Sequence, residues 1–274
     1  MTAKSTTNRL DYHVLDAADT SLNKTSVLVS GETEAAVVDA AFTRADGHRI
    51  VAAVLDSGKR LTTVLITAGD PDFHFGAEVI ADAFPEAVFL APADVIAHIR
   101  DSYEDKLAAW AHLGANLPTR LVTIEPLTTP SITVDGVTLD VRRGSTALGD
   151  RSWYVFEPAA RALLGGVLLF EGLHVWTADT AGPDQRTEWL RVLDDLEALE
   201  PALVIAGHRT AGAPTDLTAI RHTAEYLRSF EKTLAESADA AAAEERLLAA
   251  YPDAGLQIAA SLGTKVAKGE LTWG

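Results

Sequence analysis

Val64-Leu65-Ile66-Thr67-Ala68-Gly69-Asp70-Pro71-Asp72-Phe73-His74-Phe75-Gly76 decides how this chain is read. The run begins apolar and β-branched, as a buried strand does. It passes into a polar loop, and a helix is expected from about residue 77. Carboxylates and a histidine at the C-terminal end of a buried strand lie where α/β proteins keep their chemistry.

Upstream, residues 11–17, 24–30 and 34–40 read as strands, with Gly31-Glu32 as a turn. Asp39 closes the third and reads as a strand-end or helix-cap carboxylate. Residues 43–57 read as a helix with Ile50, Val51, Val54 and Leu55 on one face. Downstream come a short helix to Phe84, stopped by Pro85, and a strand over 87–90. A long helix from Pro92 to about Leu113 carries Val95, Ile96, Ile99, Tyr103, Leu107 and Trp110 on one side. The period then changes to two. Strands are expected over 121–124, 132–134, 137–141, 153–156 and 162–169, with Asp135-Gly136 as a tight hairpin turn. Residues 184–199 form an amphipathic helix, 202–205 a strand, and 216–248 helix with a break near Ser237. A last short helix falls within 253–274.

With 274 residues, 47% of them hydrophobic, the chain can bury a large core. No linker divides it, so one domain over 1–274 is expected, with an arm at 1–10 and a C-terminal helical part over 215–274. A net charge of −16 argues against nucleic acid and anionic membranes as partners. The absence of cysteine excludes disulfides, thiolate metal ligands and a thiol nucleophile. Residues 1–9 are polar and lack the apolar core of a signal peptide, so a cytoplasmic location is expected.

The 67–76 loop resembles the metallo-β-lactamase superfamily signature Thr-His-x-His-x-Asp-His-x-x-Gly. Thr67, Asp72 and Gly76 match it; Ala68, Asp70 and Phe73 stand where the histidines belong. The resemblance runs from about Val27 to Glu225. It implies an αββα four-layer sandwich of the α/β (α+β) class, built from two face-to-face sheets with helices outside. At the family's Gly-His-Thr motif the chain has Gly144-Ser145-Thr146, and at the metal-bridging Asp it has Gly166. The last histidine, in Ala206-Gly207-His208, is kept. Of the usual ligand positions only Asp72 and His208 hold the expected type. Zinc takes three or four protein donors, so a zinc pair and other cofactors are not expected. The alternative is one divalent ion (Zn, Mn or Mg) on Asp70, Asp72 and His208. Residues 172–180 and 251–270 resemble a branch of the superfamily in which some members also carry Gly-Asp-Pro-Asp in the first loop.

The resemblance implies that Asp70, Asp72, Ser145 and His208 line one cleft. His208 and Asp72 are expected as a general acid–base pair, with Asp70 as a second acid. Ser145 is a candidate nucleophile. Phe73, His74, His174, Trp176 and Asp179 are candidate substrate-binding residues. Each also has a structural reading: Phe73 and His74 as packing at a loop–helix junction, His174 as a satisfied loop group, Asp179 as a cap near residue 184. The expected function is hydrolase-like cleavage of an ester, lactone or thioester at a zinc-free site. The alternatives are a non-catalytic module binding a small molecule or protein, and a mononuclear metal hydrolase. Expected partners are a small apolar or aromatic substrate and, as one option, a second copy in a homodimer.

Overall fold

The computed structural model describes residues 9–273, so residues 1–8 of the expected arm lie outside the described residues. The described chain divides into two compact units: residues 9–15, 25–142 and 155–160, and residues 16–24, 143–154 and 161–273.

The first unit begins with β1 (Asp11–Asp16), β2 (Thr25–Ser30) and β3 (Glu34–Val38). Helix α1 (Arg44–Ser57) follows, capped by Thr43, whose hydroxyl accepts from Asp46 N–H. Then come β4 (Arg60–Leu65), α2 (Pro71–His74), α3 (Ala77–Ala83), β5 (Val88–Ala91), α4 (Ala93–Ala109) and β6 (Glu125–Pro126). These strands form one sheet in the order β1-β2-β3-β4-β5-β6. β2 and β3 are antiparallel, while β3 to β6 run parallel through the helical crossovers. β7 (Ser131–Val134) and β8 (Val137–Arg143) form a hairpin on Asp135-Gly136, both at positive φ as the turn requires. β9 (Trp153–Glu157) spans the point where the chain passes between the units.

The second unit holds β10 (Ala162–Leu164), β11 (Phe170–Glu171), α5 (Pro183–Ala198), β12 (Leu203–Ile205) and β13 (His208–Arg209). α6 (Thr218–Glu236), α7 (Ala240–Ala250) and α8 (Gln257–Ala267) complete it. β10 pairs in parallel with β12, and β11 with β13. No described helix is long and apolar enough to cross a membrane.

Several expectations are corrected. Residues 121–124 alternate, burying Val122 and Ile124, but make no ladder; pairing with β5 starts only at Glu125. Alternation there reports one-sided burial, not strand pairing. The strand expected over 162–169 stops at Leu164, because Gly166 turns left-handed (φ +53°) and starts a single 3-10 turn. The helix from Pro92 ends at Ala109 and gives way to a kinked 3-10 segment. Leu55, expected on the buried face of α1, is 65% exposed, whereas Ile50 and Val54 are buried.

Candidate functional site

In the first unit, every residue from 64 to 80 is buried. The backbone after β4 is tied down by the segment that follows β3. Asp39 and Ala41 take the left-handed conformation, which costs an L-residue about 1–2 kcal/mol. Their turn lets Asp39 N–H donate to Leu65, Ala40 N–H to Phe73 and Gly76 N–H to Ala41. The Asp39 carboxylate accepts from Thr67 N–H and from its hydroxyl, both at 2.9 Å. Asp39 therefore anchors the loop. Asp39→Ala leaves two buried donors without this acceptor, and a loss of about 2 kcal/mol is expected in urea melts.

Asp70 occupies the N-cap position of α2 and Asp72 its first turn, with Pro71 between them at a position suited to proline. Both carboxylates are buried. Phe73 is fully buried. His74 packs edge-on to Phe75 and near Tyr103, with ring centroids at 5.1 and 6.2 Å. Burial first, then the neighbouring His98, pushes His74 down to about 3, against a smaller opposite effect of its bond with the Gly69 backbone.

In the second unit His208 lies on β13, its ring stacked on Phe170 (4.9 Å, 6° between planes). Its Nδ1 lies 3.0 Å from the Leu22 carbonyl oxygen. A carbonyl only accepts, so Nδ1 carries the proton and Nε2 is the basic nitrogen. The tautomer of His208 is thus set by a backbone carbonyl. Burial and the charge of Lys24 hold His208 down at about 3; the Leu22 bond opposes this and Arg151 adds to it. Lys24 is fully buried and forms an antiparallel bridge with His208. Its only local signal in the sequence is its place at the head of the strand carrying Val27-Leu28-Val29.

Ser145 donates to Glu188 at 2.5 Å and accepts from Ala147 N–H. Glu188 is held at about 2 by hydrogen bonds from Arg191 and Ser145. The hydroxyl proton thus goes to a carboxylate paired with arginine, an arrangement that does not activate a nucleophile. His174 is fully buried, with Nδ1 3.1 Å from the Tyr226 hydroxyl and no partner at Nε2. Burial, then His222, lowers its pKa. Asp179 does not cap α5; Gly182 holds that position. Instead it accepts from Trp176 Nε1 (2.7 Å) and Trp273 Nε1 (3.0 Å) and pairs with Arg151 (3.2 Å). Gly166 meets Gly207 so closely that a Cβ on Gly207 would lie 2.0 Å from the Gly166 carbonyl oxygen.

These residues do not fit a zinc centre. Ala68, Phe73 and Gly166 offer no side-chain donor. Among the described residues no group of three or more His, Asp or Glu side chains could hold a metal ion. The single-ion alternative on Asp70, Asp72 and His208 requires such a group.

The metallo-beta-lactamase superfamily model matches residues 20–208, and the chain belongs to that superfamily. Solved structures agree on the fold. A metallo-beta-lactamase family protein from Thermus thermophilus superposes with a TM-score of 0.68 at 20% identity, covering 94% of this chain and 91% of that one. A beta-lactamase domain protein from Burkholderia ambifaria gives 0.66 at 16%, covering 94% and 84%. A metallo-beta-lactamase from Pontibacter korlensis gives 0.54 at 15%, covering 82% and 97%. No curated protein matches. The α/β class and metallo-β-lactamase-like fold expected from the sequence therefore hold.

Proposed function

We propose that this chain is a hydrolase-like member of the superfamily that works without a zinc pair. Its substrate is an activated acyl compound, an ester, lactone or thioester of a small apolar or aromatic molecule. The observation that supports this reading is the His208 Nδ1–H bond to the Leu22 carbonyl, 3.0 Å long, which leaves Nε2 as proton acceptor. In this reading the water oxygen bonds to the acyl carbon while Nε2 takes the water proton. The tetrahedral intermediate then expels the alcohol or thiol, which recovers that proton from Nε2. Ser145 is left out because its proton is committed to Glu188.

A base held near 3 stays unprotonated at neutral pH but pulls weakly on a proton. Good leaving groups are within its reach and amides are not. Thioester or aryl-ester hydrolysis is expected to be level from pH 5 to 8, because Nε2 stays free of its proton throughout. His208→Ala is expected to lower kcat about 100-fold with the circular dichroism spectrum unchanged. A rate that halves near pH 6.5, or a folded His208→Ala as active as wild type, would sink the reading.

A second reading, a non-catalytic module binding a small molecule or protein, is favoured by the burial of Ala68 and Phe73 in the core at ligand positions. In that case no ester, lactone or thioester is turned over faster than by His208→Ala.

A further inference from the structure

Leu55 on α1 is the most exposed large apolar side chain among the described residues, at 65%. A lone exposed leucine is ordinary. This one borders a groove of about 490 Å³ between α1 and the strands β1 and β2, which supply His13, Leu28 and Ser30. Arg49, Ala52, Ala53 and Asp56 form its helical wall. Their spacing of three, four and seven residues sets them on one face. Arg49 bonds Asp46 through Nη1 at 2.6 Å, yet its side chain is 69% exposed. Asp56 is exposed and makes no hydrogen bond or ion pair among the described residues. A cation, an anion, an apolar knob and a groove thus share one surface, as recognition of a like surface about a two-fold axis requires.

We propose that α1 docks antiparallel on α1 of a second copy of this chain, about a two-fold axis at Ala52 and Ala53, with Arg49 of each copy facing Asp56 of the other. The register follows from the sequence. Arg49 and Asp56 are equidistant from the midpoint of Ala52 and Ala53, and about 10 Å apart along the helix. Reversing the helix about that midpoint exchanges cation and anion, so each charge meets its opposite. Alanines at the crossing let the two backbones come close, and Leu55 of each copy enters the groove of the other. A small ligand in the groove would leave Leu55 in water; a second copy covers it. The net charge of −16 opposes association. That repulsion is screened beyond about 8 Å at physiological salt, whereas the paired charges are in contact.

The test is sedimentation velocity of the full-length protein in about 0.15 M NaCl. The wild type is expected to pass from 29.1 kDa to twice that mass as its concentration rises, with a dissociation constant of about 1–100 µM. Leu55→Glu is expected to stay monomeric over the same range. Arg49→Glu and Asp56→Arg each set like charges face to face, and each is expected to weaken the dimer about tenfold or more. Mixed in equal amounts, these two single variants recover opposite charges at both contacts, so a heterodimer of near wild-type affinity is expected. The proposal is overturned if the wild type is monomeric up to about 200 µM, if a folded Leu55→Glu dimerises as wild type does, or if the two charge variants do not recover on mixing. Should either charge variant fail to fold by circular dichroism, Leu55→Glu decides: loss of the dimer supports the proposal, and an unchanged dimer ends it. None of these outcomes depends on the hydrolase reading.

Discussion

Acidification from pH 8 to pH 5 is expected to remove about 3 kcal/mol of folding stability. The cause is two buried histidines, His74 and His208, each held near 3 in the folded chain chiefly by burial. Unfolded, each titrates at about 6.5. Below that pH the unfolded chain takes up protons the folded chain refuses. Their contribution is complete above about 6.5 and is lost as the pH falls toward 3, at about 2 kcal/mol per histidine by pH 5. His174, lowered by burial and by His222, acts in the same direction. Glu171 opposes them. Burial, then Asp216, raises it to about 7, with Arg209 opposing. Its folded form prefers the proton, so its contribution is complete below about 4.5 and is lost as the pH rises through about 7. It is less deeply packed than the histidines; taking half of its full effect offsets about 1 kcal/mol at pH 5. Urea melts at the two pH values measure the net. His74→Phe is expected to shrink the difference by about 2 kcal/mol, and Glu171→Gln to widen it by about 1 kcal/mol. Equal wild-type stability at both pH values would show that these histidines are not held neutral by the fold. The depression of His208 that weakens the chain in acid is the one expected to keep the hydrolysis rate level there, so the two measurements check a single cause.

The parts of the fold that were legible are those where side-chain period and burial coincide. Val64-Leu65-Ile66 was readable because a strand buried on both faces needs a continuous apolar run. The break near Ser237 was readable because Asp239 caps a new helix, accepting from Ala242 N–H. Residues 121–124 misled because a one-sided apolar alternation looks the same whether or not a neighbouring strand is present. Residues 162–169 misled because eight residues rich in leucine and valine hide a backbone reversal that only Gly166 permits. At the site, the lost ligands could be read from Ala68, Phe73 and Gly166. The neighbours the fold gives the other residues could not. Lys24 is distant from His208 in sequence, and Asp179 gathers Trp176, Trp273 and Arg151 from three separate segments. Such partners are set by topology, and a local pattern carries no trace of them.

Gly76→Ala is expected to cost about 3 kcal/mol or more, although its φ of −74° suits any residue. The obstacle is contact. A Cβ at Gly76 would lie 2.2 Å from the Ala40 carbonyl oxygen, 3.1 Å from that of Thr43 and 3.2 Å from Gly47 Cα. The reverse view agrees: a Cβ on Gly47 would lie 2.5 Å from the Gly76 carbonyl oxygen and from Val79 Cγ2. The first turn of α1 therefore rests on the backbone of the loop. Making room for a methyl group means moving backbone, which strains the Ala40–Phe73 and Gly76–Ala41 bonds and the Asp39–Thr67 pair. Gly58→Ala is the control. It too is a glycine next to α1, but at φ +66° with no atom within 4 Å, so only conformational strain of about 1 kcal/mol is expected. Gly47→Ala should resemble Gly76→Ala, and the double variant should cost less than the sum, because both open the same contact. Urea midpoints at unchanged m measure all four. A Gly76→Ala protein within 1 kcal/mol of wild type would mean that α1 does not clamp the loop. If the clamp is as described, the glycine of this signature serves packing and not metal. It can then keep its place in a loop where alanine and phenylalanine have taken two of the histidine positions and aspartate the third.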